Sequence, residues 1–279
     1  MDIKRRKFLK IAGISTIAGI GAPAVFNQLL RGDIPNPVLA SSPKHGAEPE
    51  TMAQAGKRLG MVINQKIFAA NPGLAQKCIN ACHTVHNVPD YQNPKDEIKW
   101  IWETGYENAF PTSSHYHLRE DIEEHKFMVL CNHCDDPPCV RVCPTKATFV
   151  GKDGMVLMDY HRCIGCRFCM AGCPYGARSF NWRDPRGKDE NGRYFIDRAT
   201  LNKEFPTRMR GVVEKCNFCA ERQAKGLDPA CVEACGETKA IIYGDLNDPH
   251  SEIRKVLNSH FTIQRKPEVG TKPSLFYIV

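Results

Sequence analysis

Two runs of cysteine carry the chemistry of this chain. The first reads Cys131-x2-Cys134-x4-Cys139-x3-Cys143-Pro144; twenty residues after Cys143 the second begins, Cys163-x2-Cys166-x2-Cys169-x3-Cys173-Pro174. A C-x2-C loop turns back on itself, so three closely spaced thiolates can grip three irons of one cubane. The fourth cysteine, followed by proline, points away and ligates the neighbouring cluster. Spacing therefore assigns Cys131, Cys134, Cys139 and Cys173 to one [4Fe–4S] cluster, and Cys163, Cys166, Cys169 and Cys143 to a second. Zinc fits less well, because two separated knuckles closing one tetrahedral site have no use for a third close cysteine or a trailing Cys-Pro. A disulfide framework suits a small secreted domain better than 279 residues.

A third set, Cys216-x2-Cys219-x11-Cys231-x3-Cys235, has a long central gap and Gly236 where proline follows the other runs. A fourth is only half present: Cys78-x3-Cys82-His83 stands alone, and the positions at three-residue steps upstream hold Ala75 and Pro72.

The totals agree with a fold in which inorganic groups replace part of the core. There are 14 cysteines, 19 prolines and 21 glycines, with a formal charge of +7. A cubane with its four thiolates carries about −2 or −3, and the ion's own charge belongs in the balance. Arg141, Lys146, Arg162, Arg167, Arg178, Lys215 and Lys239 lie within a few residues of a cysteine, so part of the basic excess is expected to offset cluster charge. The basic residues are dispersed and carry no helix-turn-helix or RNA-binding signature, which argues against nucleic acid.

Around these motifs the chain divides into recognisable stretches. Residues 1–40 read as an export signal: Lys4-Arg5-Arg6-Lys7-Phe8-Leu9-Lys10 resembles the twin-arginine consensus, and the moderately apolar Ile11 to Leu30 is too weak for a confident membrane span. Val38-Leu39-Ala40 offers a small residue for cleavage; an uncleaved signal would act as an anchor. Residues 41–70 are expected to be a linker, with a strand over Met61 to Phe68. Residues 87–126 hold Trp100, Trp102, Tyr106, Phe110 and Tyr116, read as core filling more than as a partner surface. Phe127 to Leu130 is an expected strand. Thr148 to Val150 and Met155 to Met158 flank Gly151-Lys152-Asp153-Gly154 as a hairpin. Arg183 to Lys203 reads as a surface loop, Ala240 to Tyr243 as a strand, and Ser251 to Asn258 as a helix with Ile253, Val256 and Leu257 inward.

These motifs, together with Gly244 to Pro249 and Lys266 to Thr271, resemble the polyferredoxin (NrfC/PsrB-like) iron–sulfur electron-transfer subunits over roughly residues 70–279. Within that family the twin-arginine start and the segment Cys78 to Asn87 are most similar to the DsrO group. The resemblance implies an α+β, loop-rich fold of two nested bacterial-ferredoxin-like [4Fe–4S] units with inserted loops: an inner unit over 127–182, and an outer unit of 71–126 and 205–279, with 183–204 as a surface loop. The outer runs pair, so Cys216, Cys219, Cys231 and Cys82 would hold a third cluster. Cys78 and Cys235 would be left over at a fourth site, two thiolates too few for a cubane. Three [4Fe–4S] clusters are therefore expected. The leftover pair could form a disulfide; His83 or His86 could complete a modified cluster; or Cys78-x3-Cys82-His83 could be a lengthened haem-attachment motif.

No nucleophile elbow, nucleotide-binding glycine loop or small-molecule substrate site is evident. By resemblance the chain is an electron carrier without a catalytic site of its own, on the periplasmic side of a membrane. It would work between an NrfD-like integral quinone-interacting subunit and a periplasmic multihaem cytochrome c, in dissimilatory sulfur metabolism. A molybdopterin-reductase iron–sulfur subunit is the rival electron-transfer reading, and a scaffold with redox-silent clusters the rival of another class.

Overall fold

The computed structural model describes residues 56–113 and 120–279; the export signal, the first part of the linker and Tyr116 lie outside the described residues. Among the described residues the one sheet of more than two strands is made by segments far apart in sequence. β1 (Leu59–Asn64) lies between β8 (Ile241–Asp245), antiparallel to it, and β9 (Leu275–Ile278), parallel to it. Its near-continuous apolar run suits a strand covered on both faces. Leu59, Met61 and Ile63 enter the main core, while Val62 packs with Ile253 of the helix Glu252–Ser259. Gly60 is required by closeness: a Cβ there would lie 2.7 Å from the Ser274 carbonyl oxygen.

This revises the expected linker. Ordered structure enters the outer sheet at Leu59, before residue 71, and the strand ends at Asn64, short of the Phe68 expected. Asn64 caps the helix Gln65–Ala70, its side chain accepting from the Ile67 amide at 3.3 Å, which turns the chain out of the sheet.

The remaining strands form two-stranded ribbons. β2 (Ile101–Gly105) pairs with β3 (Lys126–Leu130), β4 (Thr148–Val150) with β5 (Val156–Met158), and β6 (Ser179–Phe180) with β7 (Val213–Glu214). The β4–β5 hairpin stands between the two main cysteine runs, as expected. Trp100 and Phe110 are almost wholly buried, so the aromatic segment fills core. Residues 183–203 hold no helix or strand, although Phe195 and Ile196 turn inward. Ser251 caps the helix Glu252–Ser259 by accepting from Arg254, one residue off the expected span. Among the described residues no helix is long and apolar enough to cross a membrane.

Candidate metal centres

The three C-x2-C loops share one backbone device. The residue before the second cysteine is left-handed in each: His133 (φ 40°), Gly165 (φ 70°) and Phe218 (φ 56°). A left-handed residue at that place folds the loop around a point, so that both thiols face the same side. The Cys-Pro segments do likewise three residues on, at Lys146 (φ 55°) and Gly176 (φ 63°). The short helices Pro138–Arg141 and Phe168–Ala171 then carry Cys139 and Cys169 inward, and they pack on each other.

The thiols gather into groups. Cys134 lies within electrostatic reach of Cys131, Cys173 and Cys139, and burial with these neighbours pushes its pKa up to about 12. Cys173 is raised in the same way, by burial and then by Cys131 and Cys139. Cys143, Cys163, Cys166 and Cys169 line one small cavity with Ile164, Gly165 and Val213. In the third group Cys231, fully enclosed, feels Cys82, Cys219 and Cys216, and burial with these charges holds its thiol well above the ordinary range. Such crowding is unfavourable for thiolates alone and is relieved by cations among them. Sets of four convergent sulfurs therefore suit iron–sulfur groups, with Cys131/Cys134/Cys139/Cys173, Cys163/Cys166/Cys169/Cys143 and Cys216/Cys219/Cys231/Cys82 as the residues that would hold them.

The groups stand in a row. Cys216 of the third is an electrostatic neighbour of Cys131 in the first, and Cys169 of the second is a neighbour of Cys139 in the first. Between the first and third the His133 ring stacks on Phe218, with centroids 3.6 Å apart and planes 13° apart. His133 is completely buried; its Nδ1 accepts from the Val156 amide at 3.1 Å.

Two of the basic residues near the cysteines lie deep among them. Arg178 faces Cys139, Cys169 and Cys131, and donates to Thr148 Oγ1 at 3.1 Å. Lys215 donates to the carbonyl oxygens of Val156 and Cys216. Arg141, Arg162 and Arg167 are on the surface. Amide hydrogen bonds reach the sulfurs as well: Phe218 N–H to Cys216 Sγ at 3.5 Å and Ala230 N–H to Cys219 Sγ at 3.3 Å. Backbone amides at Thr148, Ala147 and Thr145 help lower the Cys143 pKa against the opposing effect of burial. Such bonds are among the terms that set a cluster's potential.

Sequence reasoning missed the frame behind the third group. Arg208 and Glu214, both with fully buried side chains, pair at 2.7 Å. Arg208 also donates to the carbonyls of His86 (2.6 Å) and Asn87 (2.9 Å), while Glu214 accepts from Trp100 Nε1 at 3.0 Å. The network ties the end of the helix Leu74–Val85, which carries Cys82, to β7, which leads into Cys216. Nothing in the sequence pairs Arg208 with Glu214, since the partners meet only after β6 and β7 pair. Thr271 stood out in the sequence only as part of a longer motif; its hydroxyl meets Tyr175 Oη at 2.6 Å and bonds to Cys134.

His86, Cys219 and Glu221 bring ligand atoms within 4.8 Å of one another. His86 Nε2 lies 2.7 Å from Glu221 Oε1. Burial opposes charge on the imidazole, but Cys82, Cys219 and Glu221 outweigh it and hold its pKa well above the usual range. His86 and Glu221 thus approach as a charged pair beside the Cys219 thiol. His83 faces a different groove, with Pro89, Tyr91 and Ile98, where burial lowers its pKa to about 4.

Cys78 and Cys235 meet each other, their sulfurs 3.3 Å apart. The end of their run is also built differently: Gly236 has φ 56° and ψ −135°, a backbone that proline cannot adopt.

The exposed end of the row is the second group. Cys143, Cys163 and Cys166 are only half-buried, and Ile164 (68% exposed) and Phe168 (60%) project beside them. Val142 and Trp182 are exposed nearby in the chain, and Arg167 lies over the Trp182 ring at 4.9 Å.

Residues 124–188 and 186–246 match a family model described as a 4Fe-4S dicluster domain. The Hdr-like menaquinol oxidoreductase iron-sulfur subunit 1 of Archaeoglobus fulgidus is 35% identical to this chain over 287 residues, spanning 99% of the chain and 97% of that protein. The arsenate respiratory reductase iron-sulfur subunit ArrB of a Shewanella species is 38% identical over 79% of the chain and 96% of its own length. A polysulfide reductase subunit of Wolinella succinogenes is 33% identical over 80% of the chain and 94% of its own length. This protein belongs to the NrfC/PsrB-like polyferredoxin family, the [4Fe–4S] electron-transfer subunits of membrane-associated reductase complexes.

Proposed function

We propose that the chain is the periplasmic, DsrO-type member of this family and relays single electrons along three [4Fe–4S] clusters. The observation that carries the reading is the row of sulfur groups: Cys216/Cys219/Cys231/Cys82 at the inner end, Cys131/Cys134/Cys139/Cys173 in the middle, and Cys163/Cys166/Cys169/Cys143 at the exposed end. Clusters held by these residues would supply the one-electron chemistry. The protein's own residues set spacing, burial, charge and N–H···S bonding, the terms that tune potential.

The exposed apolar residues around the second group, rimmed by Arg141, Arg162 and Arg167, suit contact with a protein partner. On this reading the partner there is the NrfD-like, quinone-interacting membrane subunit, and a periplasmic multihaem cytochrome c exchanges electrons near the third group. Membrane association then runs through partners or an uncleaved signal. The full-length likeness to a subunit named for a menaquinol oxidoreductase supports this arrangement. The likeness to arsenate and polysulfide reductase subunits supports the second reading, a subunit serving a molybdopterin reductase.

The test is anaerobic purification of the complex from its native membrane, with iron, acid-labile sulfide, haem and molybdenum measured per copy of this chain. Once a partner's own iron is subtracted, about twelve irons and only [4Fe–4S] signals in EPR fit three cubanes. About sixteen irons would overturn the three-cluster wire. Co-purifying haem with quinol-dependent reduction of the clusters fits the DsrO-type reading, whereas co-purifying molybdenum would replace it with the second. Clusters that stay redox-inert over the physiological range of potential would favour a scaffold.

A further inference from the structure

A fourth cubane does not fit this chain. Its site would draw on the half motif before Cys82 and on the end of the last run, and it retains only Cys78 and Cys235. Ala75 is buried one turn before Cys78, with no ligand atom to offer, and Pro72 is exposed. The two histidines nearest in sequence face elsewhere: His86 lies against Glu221, and His83 lines the Tyr91 groove. The remaining thiol nearby, Cys231, feels Cys82, Cys219 and Cys216 more strongly than it feels Cys235.

The distance sets the two thiols against each other, longer than the bond of about 2.0 Å in a joined pair and shorter than a shared ion would hold them. Two thiolates on one tetrahedral ion with bonds of about 2.3 Å stand roughly 3.8 Å apart, and thiolates on different irons of a cubane stand further apart still. The Cys78 and Cys235 sulfurs are 3.3 Å apart, with the residues 0% and 3% exposed. They sit at the contact of two packed helices, Leu74–Val85 and Ala230–Cys235.

We propose that Cys78 and Cys235 are joined by a disulfide in the mature protein, a covalent clasp standing where a fourth cluster would be. Two thiols give up two protons and two electrons as one S–S bond forms. The electrons pass to a low-molecular-weight disulfide, which is reduced to two thiols by exchange through a mixed disulfide. Entry is short: residues 236–239, directly after Cys235, are all exposed, so opening that one turn presents the Cys235 sulfur. The Ile241 amide and the Cys78 thiol both hydrogen-bond to that sulfur and favour its thiolate, the attacking form. The clasp encloses every thiol assigned to the three clusters, since Cys82 through Cys231 all lie between its two ends.

The inference rests on the three-cluster reading, and the experiment separates the two. Exported holoprotein is denatured anaerobically in acid with excess N-ethylmaleimide, digested without reductant and analysed by mass spectrometry, with iron measured on the same sample. The expected result is a linked Cys78–Cys235 peptide two hydrogens short of the dithiol, with the other twelve cysteines alkylated and about twelve irons. The double variant Cys78→Ser with Cys235→Ser should retain its iron, whereas loss of about four irons from it would reveal a cluster at this site and overturn the clasp. Alkylation of both Cys78 and Cys235 in the holoprotein would overturn it too. Absence of iron would sink the cluster reading without touching the disulfide.

Discussion

Replacing Glu214 by Gln tests the frame that holds the third sulfur group. Glu214 and Arg208 are both 0% exposed at the side chain and 2.7 Å apart. The substitution keeps the shape but leaves the Arg208 guanidinium as an uncompensated buried charge. Breaking one partner of such a pair costs about 3–5 kcal/mol. For a chain of this size each kcal/mol shifts the melting temperature by about 2–4 °C, so a fall of roughly 6–20 °C is expected. Because bound clusters make unfolding other than two-state, the assay is the anaerobic thermal loss of the iron–sulfur absorbance near 400 nm. EPR of partly heated samples then shows which signal goes first. The third cluster should lead, because Arg208 holds the His86 and Asn87 carbonyls just beyond Cys82, while Glu214 stands two residues before Cys216. Adding Arg208→Met to Glu214→Gln removes the stranded charge and should recover much of the loss. A shift under about 2 °C, or equal loss of all signals, would refute the view that this pair is a dry strut for that site.

Other outcomes follow from single features. Gly165→Ala should strip iron from the second group selectively, because a Cβ there would overlap the Gly211 carbonyl oxygen and φ is +70°; an unchanged iron count would contradict the close approach. Arg178→Met removes a buried positive charge facing Cys131, Cys139 and Cys169, so the potentials of those clusters should become more negative in a spectroelectrochemical titration. Phe218→Leu removes the ring stacked on His133 and should slow electron passage between the first and third clusters, measured by rapid-freeze EPR after reduction at one end and counted only over molecules that retain both signals. Reducing the Cys78–Cys235 clasp opens a loop of 157 residues, worth about 5 kcal/mol on the chain-entropy model. Its double serine variant should therefore lose clusters at a lower temperature, and an equal melting point would show that the clasp does not stabilise.

The local code was legible to the extent that it was local. The runs from Cys131 to Pro144 and from Cys163 to Pro174 specify their own loop geometry, because a left-handed residue before the second cysteine and a short helix after it are set within a few residues. The hairpin around Gly151 and the cap at Ser251 were readable for the same reason. The strand Leu59–Asn64 was harder: its apolar run was visible, but its central place depends on Ile241–Asp245 and Leu275–Ile278 arriving from the far end of the sequence.

By itself, then, the amino-acid order determined the type of cofactor, the spacing of the cysteines in the two main runs on which their proposed grouping rests, and the two cysteines missing from a fourth set. Spacing between nearby thiols is a covalent property, and it survives any arrangement of the rest. Tertiary structure alone decided the row in which the three groups stand, the His133–Phe218 contact between two of them and the Arg208–Glu214 strut. It also decided the 3.3 Å meeting of Cys78 with Cys235. Each of these joins residues that only packing brings together, where burial sharpens every charge and every contact distance.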